Sequence, residues 1–307
     1  MAENVFGVDV AKAWIDVIGP DGRHRRVMNP ALPAFAAEVA AVAGKAVFEA
    51  TGGCEESLRL ALAAAGARAV RVNPRQARAF ARGMGQQAKT DRVDAGMLRQ
   101  MGLRLDLRDC PPDPEELRKL KALVTRRRQL VEARKAEATA LHQTRDAFAA
   151  ASIRRVIAML AAEIKSIEGA IEALIKAHPA LAARNALLRS APGVGPVVAS
   201  VLLAQMPELG ALRPGAAASL VGVAPLARDS GTWHGRRTIG GGRKPLRDAL
   251  FMAALAAARH DPALGAFNTR LRERGKAPKQ AIIAVARKLV IALNAMIRDG
   301  EAYRTGA

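Results

Sequence analysis

Four carboxylates in this sequence stand where strand ends and a helix start would aim them at one another. Asp9 lies inside the apolar opening run in GVDVAK, Glu49 ends the apolar run KAVFEA, and Asp91 and Asp94 are three apart in KTDRVDAGML. A three-residue spacing at a helix start puts both acids on one face near the positive end of the helix. Hard oxygen donors on rigid elements are what Mg²⁺ or Mn²⁺ requires. A two-ion site of that kind activates a nucleophile and stabilises the leaving oxygen of a phosphodiester. Taken singly, Asp91 also reads as a helix cap, Asp94 as a first-turn acid and Glu49 as a partner for an arginine. Asp9 resists the ordinary reading, because an acid within an apolar strand is costly unless paired or metal-bound.

A second group of residues belongs to the C-terminal half. Pro192-Gly193-Val194-Gly195 precedes an apolar helix and reads as a helix-hairpin-helix turn whose backbone amides face phosphate; a close helix contact is the alternative use of such glycines. Further on, Ser230-Gly231 lies in ARDSGTWHGRRTIGGGRKP, with Arg236, Arg237, Arg243 and Lys244 around it. These cations are suited to holding phosphate or offsetting developing charge. A serine in such a loop is, by itself, a turn residue.

The elements that must position these groups follow from periodicity. Residues 3–28 alternate as three short strands with a turn at Gly19-Pro20-Asp21-Gly22. A helix over about 31–43, a strand KAVFEA, a helix over about 55–65, a strand ARAVRVN and helices after Pro74 and Asp91 complete the order β-β-β-α-β-α-β-α. That order builds a mixed sheet covered by helices, the RuvC or ribonuclease-H-like arrangement, and the fold class is α/β followed by mainly α. LDLRDCPPDP, 105–114, carries three prolines and interrupts helix and strand alike, so a domain boundary belongs there. Beyond it, Leu117 to Phe148 keep an imperfect heptad, and Ile153, Ile157, Leu160, Ile164, Ile167, Ile171 and Leu174 keep a clean one. A break near Ser152 would separate the two helices. Their seams read equally as an intramolecular hairpin and as an intermolecular coiled coil. The expected division is 1–104 for the metal-dependent domain, 105–180 for a coiled-coil linker that dimerises, and 181–307 for a helical domain carrying Ser230.

Composition limits the partners. The 307 residues include 48 Lys+Arg against 28 Asp+Glu, a net charge of +20, and half of them are hydrophobic. A foldable chain with that excess of positive charge calls for a polyanion, nucleic acid first. Aromatics are only 3%, so backbone contacts should dominate over base stacking. No apolar run approaches the ~20 residues of a membrane span and the start is no signal peptide, so a cytoplasmic, nucleoid-associated protein is expected. Cys54 and Cys110, and the scattered histidines, indicate neither zinc nor disulfides.

GVDVAK around Asp9, FEATGG around Glu49, KTDRVDA around Asp91 and Asp94, and the block from about Ala191 to Asp261 together resemble one family. It is the insertion-sequence transposases with an N-terminal RuvC-like domain and a C-terminal transposase domain, the bridge-RNA-guided recombinases, to which the Moraxella-type invertases are related. The resemblance implies that Asp9, Glu49, Asp91 and Asp94 bind Mg²⁺ or Mn²⁺ and that Ser230 is the nucleophile. It also implies donor and target DNA as substrates, a structured guide RNA, a tetrameric synapse, and a serine that works with the carboxylates of a different protomer. An ester between serine and DNA stores bond energy for rejoining, which a recombinase needs and a nuclease does not. A metal-dependent nuclease acting by hydrolysis, and a non-catalytic nucleic-acid-binding protein, are the alternatives.

Overall fold

The opening run is apolar on both faces of a strand, with Asp9 as its one charged residue. In the computed structural model, which describes residues 4–86, 91–227, 229–231, 233–235 and 237–304, it forms β1 (Val5–Val10). Strands β2 (Trp14–Ile18) and β3 (His24–Met28) continue antiparallel from it, while β4 (Lys45–Glu49) and β5 (Arg68–Val72) pair parallel, giving the order β3-β2-β1-β4-β5. Helices α1 (Leu32–Ala41) and α2 (Glu56–Ala64) connect the later strands, and α3 (Pro74–Gly83) and α4 (Asp91–Arg104) follow β5. The chain divides into two units, Met1–Asp113 and Pro114–Ala307.

The two sheet faces bury separate cores. Phe6, Val8, Val10, Ile15, Val17 and Phe48 pack with α1 and α2 on one face. Val5, Val47, Val70 and Val72 pack with Ala77 of α3 and with Leu98 and Met101 of α4 on the other. Since side chains alternate along a strand, Asp9, Asp16 and Glu49 all belong to the α3/α4 face.

Helix α4 approaches that face at backbone distance. A Cβ on Gly7 would stand 1.9 Å from the Ala95 carbonyl oxygen and 2.5 Å from the Arg99 nitrogen. Backbone cannot yield as a side chain tip can, so only glycine permits this contact. We therefore expect Gly7→Ala to destabilise the protein by about 3 kcal/mol, at the upper end for overpacking. A urea midpoint unchanged from wild type would show that α4 is not seated on β1 as described.

In the second unit the long helices α5 (Glu115–Gln143) and α6 (Ala147–Ala177) form an antiparallel hairpin. The break lies at 144–146 rather than near Ser152, because the Asp146 side chain caps α6 by accepting from the Ala149 amide at 2.7 Å. Phe148, counted above as a seam residue, is 81% exposed in the first turn of α6. Leu160 and Ile164 instead pack against Leu130 within the hairpin, and Ile171 and Ile175 join Leu120 and Val124 in the main core. Those seam residues are thus filled from within the chain, and a charge at Ile164 or Ile171 would enter its own core.

Further helices add to that core: α7 (Pro179–Arg189), α8 (Pro196–Gln205), α9 (Pro214–Val221) and, after a hairpin arm, α10 (Lys244–His260). They are followed by α11 (Pro262–Glu273) and α12 (Pro278–Asp299). Among the described residues α12 alone is long and apolar enough to cross a membrane, a length the sequence reading did not credit. Its apolar stripe, including Val285, Leu289 and Leu293, is buried in the core of this unit, as the central helix of a folded domain requires.

Candidate functional site

The N-terminal unit brings Glu49, Asp91 and Asp94 within electrostatic reach of Asp9. Asp9 pairs with Asp16 across the β1–β2 ladder, and Glu49 ends the adjacent strand β4. Asp91 and Asp94 occupy the first turn of α4, which the close contact at Gly7 holds over β1. Glu49 and Asp94 line a single small cavity of about 40 Å³ together with Arg78. The Asp9 carboxyl is pushed up from 3.8 to about 6, first by burial and then by the negative charges of Asp94, Asp91, Glu49 and Asp16. Burial and like charges close by each disfavour the ionised carboxyl.

Two features of this site escaped the sequence reading. Asp16 is 2% exposed and accepts from Arg26 Nη2 at 2.9 Å and from Trp14 Nε1 at 3.2 Å, with His24 Nε2 at 2.9 Å. Burial alone would raise its pKa, but the hydrogen bonds from Arg26 and His24 outweigh burial and leave it lowered. Arg26 lies 4.4 Å over the Trp14 ring and reaches Asp91 at 3.9 Å, so it ties the start of α4 to the sheet. The signal was present: Asp16 interrupts WIDVI as Asp9 interrupts VFGVDV. The second is Glu55, which accepts from the Thr51 amide and hydroxyl and from the Gly53 amide at 2.9–3.1 Å, ordering the turn that follows Glu49.

An all-carboxylate donor set suits a hard divalent cation such as Mg²⁺ or Mn²⁺. Among the described residues no three His, Cys, Asp or Glu side chains close to the spacing that would enclose an ion. Lys89 and Thr90 of the KTDRVDA motif lie outside the described residues.

The raised Asp9 gives a pH-dependent prediction for metal-free protein. A group whose folded pKa lies above its unfolded value favours the native state at low pH. That contribution is complete below 3.8 and lost as pH rises through about 6. Asp9→Asn should therefore stabilise the chain at pH 8 in EDTA by about 1 kcal/mol, after discounting for screening at a half-buried site, and change little at pH 4. Equal urea midpoints for the two proteins at pH 8 would contradict the clustering of charge.

In the second unit a hairpin arm carries the predicted serine. Strands β6 (Pro225–Leu226) and β9 (Thr238–Ile239) pair at its base, and β7 (Asp229–Ser230) and β8 (Trp233–His234) pair beyond them. Ser230 is exposed, opposite Trp233, and Gly231 at φ 56° begins the tight turn. Local sequence contributes to the arm, since the paired positions of its return strand include Trp233, Thr238 and Ile239, residue types that favour strands.

The surrounding predicted residues divide by environment. Arg237 is exposed beside the arm, and Arg236 lies outside the described residues. Arg243 is committed inward: its guanidinium grips both oxygens of Glu208, at 2.9 and 2.6 Å, and donates to the Gln205 carbonyl at 2.5 Å. That pairing anchors the junction of the arm with α10. Lys244 is exposed and pairs with Asp248 at 2.5 Å one turn along the helix. Gly193, at φ 77°, would place a Cβ 2.2 Å from the Ala253 carbonyl oxygen, so its geometry serves the packing of helices. Gly195 caps the start of α8 and faces open space.

Comparison with known proteins places both units. Residues 6–149 match the DEDD transposase domain of IS110 elements, and residues 185–269 match the transposase domain of the IS116/IS110/IS902 family. The chain is 32% identical over 241 residues to a pilin gene-inverting protein of Moraxella bovis, a match covering 76% of this chain and 73% of that protein. It is 40% identical over 144 residues to an uncharacterized 43.6 kDa protein of insertion element IS110 in Streptomyces coelicolor, covering 46% of this chain and 34% of the relative. A 42 kDa protein of IS900 in Mycobacterium paratuberculosis is 32% identical over 155 residues, covering 48% and 39%. The chain thus spans little more than a third of the two insertion-element proteins it matches.

Proposed function

We propose a reaction from one premise: this chain belongs to the IS116/IS110/IS902 family of transposases. It cuts and rejoins the DNA strands of an insertion element, with the Ser230 hydroxyl as the attacking group. Ser230 Oγ forms a bond to a backbone phosphorus, the bond from that phosphorus to the departing strand breaks, the hydroxyl proton passes to solvent, and the departing oxygen takes up a proton. A hydroxyl of the second DNA strand then attacks the same phosphorus and returns the serine oxygen, reprotonated, to its starting state. Each step exchanges one phosphate ester for another, so joining draws on no nucleoside triphosphate.

Asp9, Glu49, Asp91 and Asp94 would hold a divalent magnesium or manganese ion, which when bound stabilises charge developing on phosphate oxygens. Arg26, held by Asp16, positions Asp91, and Glu55 positions the turn after Glu49. We read the five-stranded sheet as ribonuclease-H-like on its strand order. The net charge of +20 suits DNA and a structured guide RNA alike, and an oligomeric assembly follows the family reading.

The observation that supports this reading most is the convergence on half-buried Asp9 of acids from two strands and a helix, whose charges add to burial in raising it, because such convergence has no use in stability alone. The experiment is to incubate the protein with element-end DNA and Mg²⁺, denature, and map the covalent adduct. An adduct on Ser230 supports the proposal. Cleaved ends without any adduct would assign the reaction to hydrolysis by the same carboxylates.

A further inference from the structure

One cavity in the second unit is not used by the chemistry above. It measures about 660 Å³ and lies at the base of the hairpin arm, between β9 and the first half of α12. Ile239, Leu271 and Ile283 give it an apolar floor. Arg237, Lys279 and Arg287, all exposed, stand at its rim, and among the described residues none of them is ion-paired with a carboxylate. Arg243, by contrast, lies outside this lining and is spent on Glu208.

We propose that this cavity takes an unpaired nucleotide of the DNA strand on which Ser230 acts, with the base on the apolar floor and the flanking phosphates on the rim cations. A volume of this order accommodates a small planar ligand, whereas duplex DNA offers only stacked bases behind a charged backbone and leaves an apolar recess unfilled. The floor is aliphatic, which fits a base held by burial and neighbouring cations without side-chain readout of its edges, and so fits a site indifferent to sequence. Position supplies the rest. Ser230 is only four positions along the chain from Leu226 at the base of the arm, a reach of at most ~13 Å, so the nucleotide in the cavity lies within a few positions of the phosphate attacked. The proposal rests on the serine reading for its catalytic meaning, but not for binding.

The test is binding of fluorescent DNA by the full chain carrying Ser230→Ala, so that no chemistry intervenes. A duplex with a short unpaired end and a blunt duplex of equal phosphate count are compared at one salt concentration. The intact cavity should favour the unpaired end by about tenfold, a preference worth ~1.4 kcal/mol. Ala284→Trp, which fills the cavity, and the exposed pair Lys279→Glu with Arg287→Glu should each abolish the preference. The charge-reversed pair carries the test if the tryptophan variant fails to fold. Arg126→Glu with Lys135→Glu, on the exposed surface of α5, should weaken both duplexes alike and keep the preference. No preference in the intact cavity, equal losses for the cavity and α5 pairs, or an RNA strand bound tenfold tighter than DNA of the same sequence would each overturn the proposal. An active Ser230→Ala enzyme would sink the serine reading while leaving this binding result standing.

Discussion

Ser230→Ala is expected to remove the protein–DNA adduct and to lower recombination by at least about 10³-fold while DNA binding persists, since losing a nucleophile removes the bond-forming group and leaves the binding surface intact. Ser230 is suited to this loss without collapse: it is exposed, and its strand pairing with Trp233 runs through backbone rather than through its hydroxyl. The measurement is a denaturing gel of end-labelled element DNA after incubation with Mg²⁺. Ser230→Cys, which keeps a nucleophile at the same place, should retain a trace of adduct that is now linked through sulfur. Recombinant product from Ser230→Ala at near wild-type yield would refute the assignment.

Asp9→Ala should be equally damaging through a different cause. It removes one of the proposed ligands from a site whose remaining acids still repel one another, and several kcal/mol of transition-state stabilisation, about 10³-fold or more in rate, go with the ion. Glu49→Ala, Asp91→Ala and Asp94→Ala should behave alike, with binding of DNA kept in each. Asp16→Asn is the informative contrast: it loosens Arg26 rather than removing a proposed ligand, so cleavage should fall less and recover partly at high Mg²⁺. Cleavage by Asp9→Ala at the wild-type rate would end the case for the carboxylate site. Mixing Ser230→Ala with Asp9→Ala subunits then asks whether the two sets cooperate between protomers, in which event some cleavage returns; a mixture that stays dead, with heterodimers verified, places both in one chain.

Much of the N-terminal unit was legible because its signals are local. The apolar runs VFGVDV and WIDVI, prolines at helix starts and the turn at Gly19 to Gly22 each act within a few residues, and the strands and helices stand where those signals put them. The same rule, applied once more, would have found Asp16. The hairpin of α5 and α6 was legible only in part: periodicity marked two seams, yet Asp146 outcompeted Ser152 as the cap, and the heptad left open what fills those seams.

By itself the sequence determined which residue types recur at which spacing, and so the elements, the polyanion-seeking charge and the candidate acids and serine. Tertiary structure alone decided the company each of them keeps. Gly7 is an ordinary strand glycine until α4 lies across it, Arg243 is a free cation until Glu208 meets it from 35 residues away, and Gly193 is a phosphate turn until Ala253 fills the space beside it. The reason is physical: propensity and periodicity act over a few residues of chain, whereas a carboxyl driven up to about 6 by burial and by its neighbours, or a cation spent on an internal partner, depends on distances through space that chain closure sets.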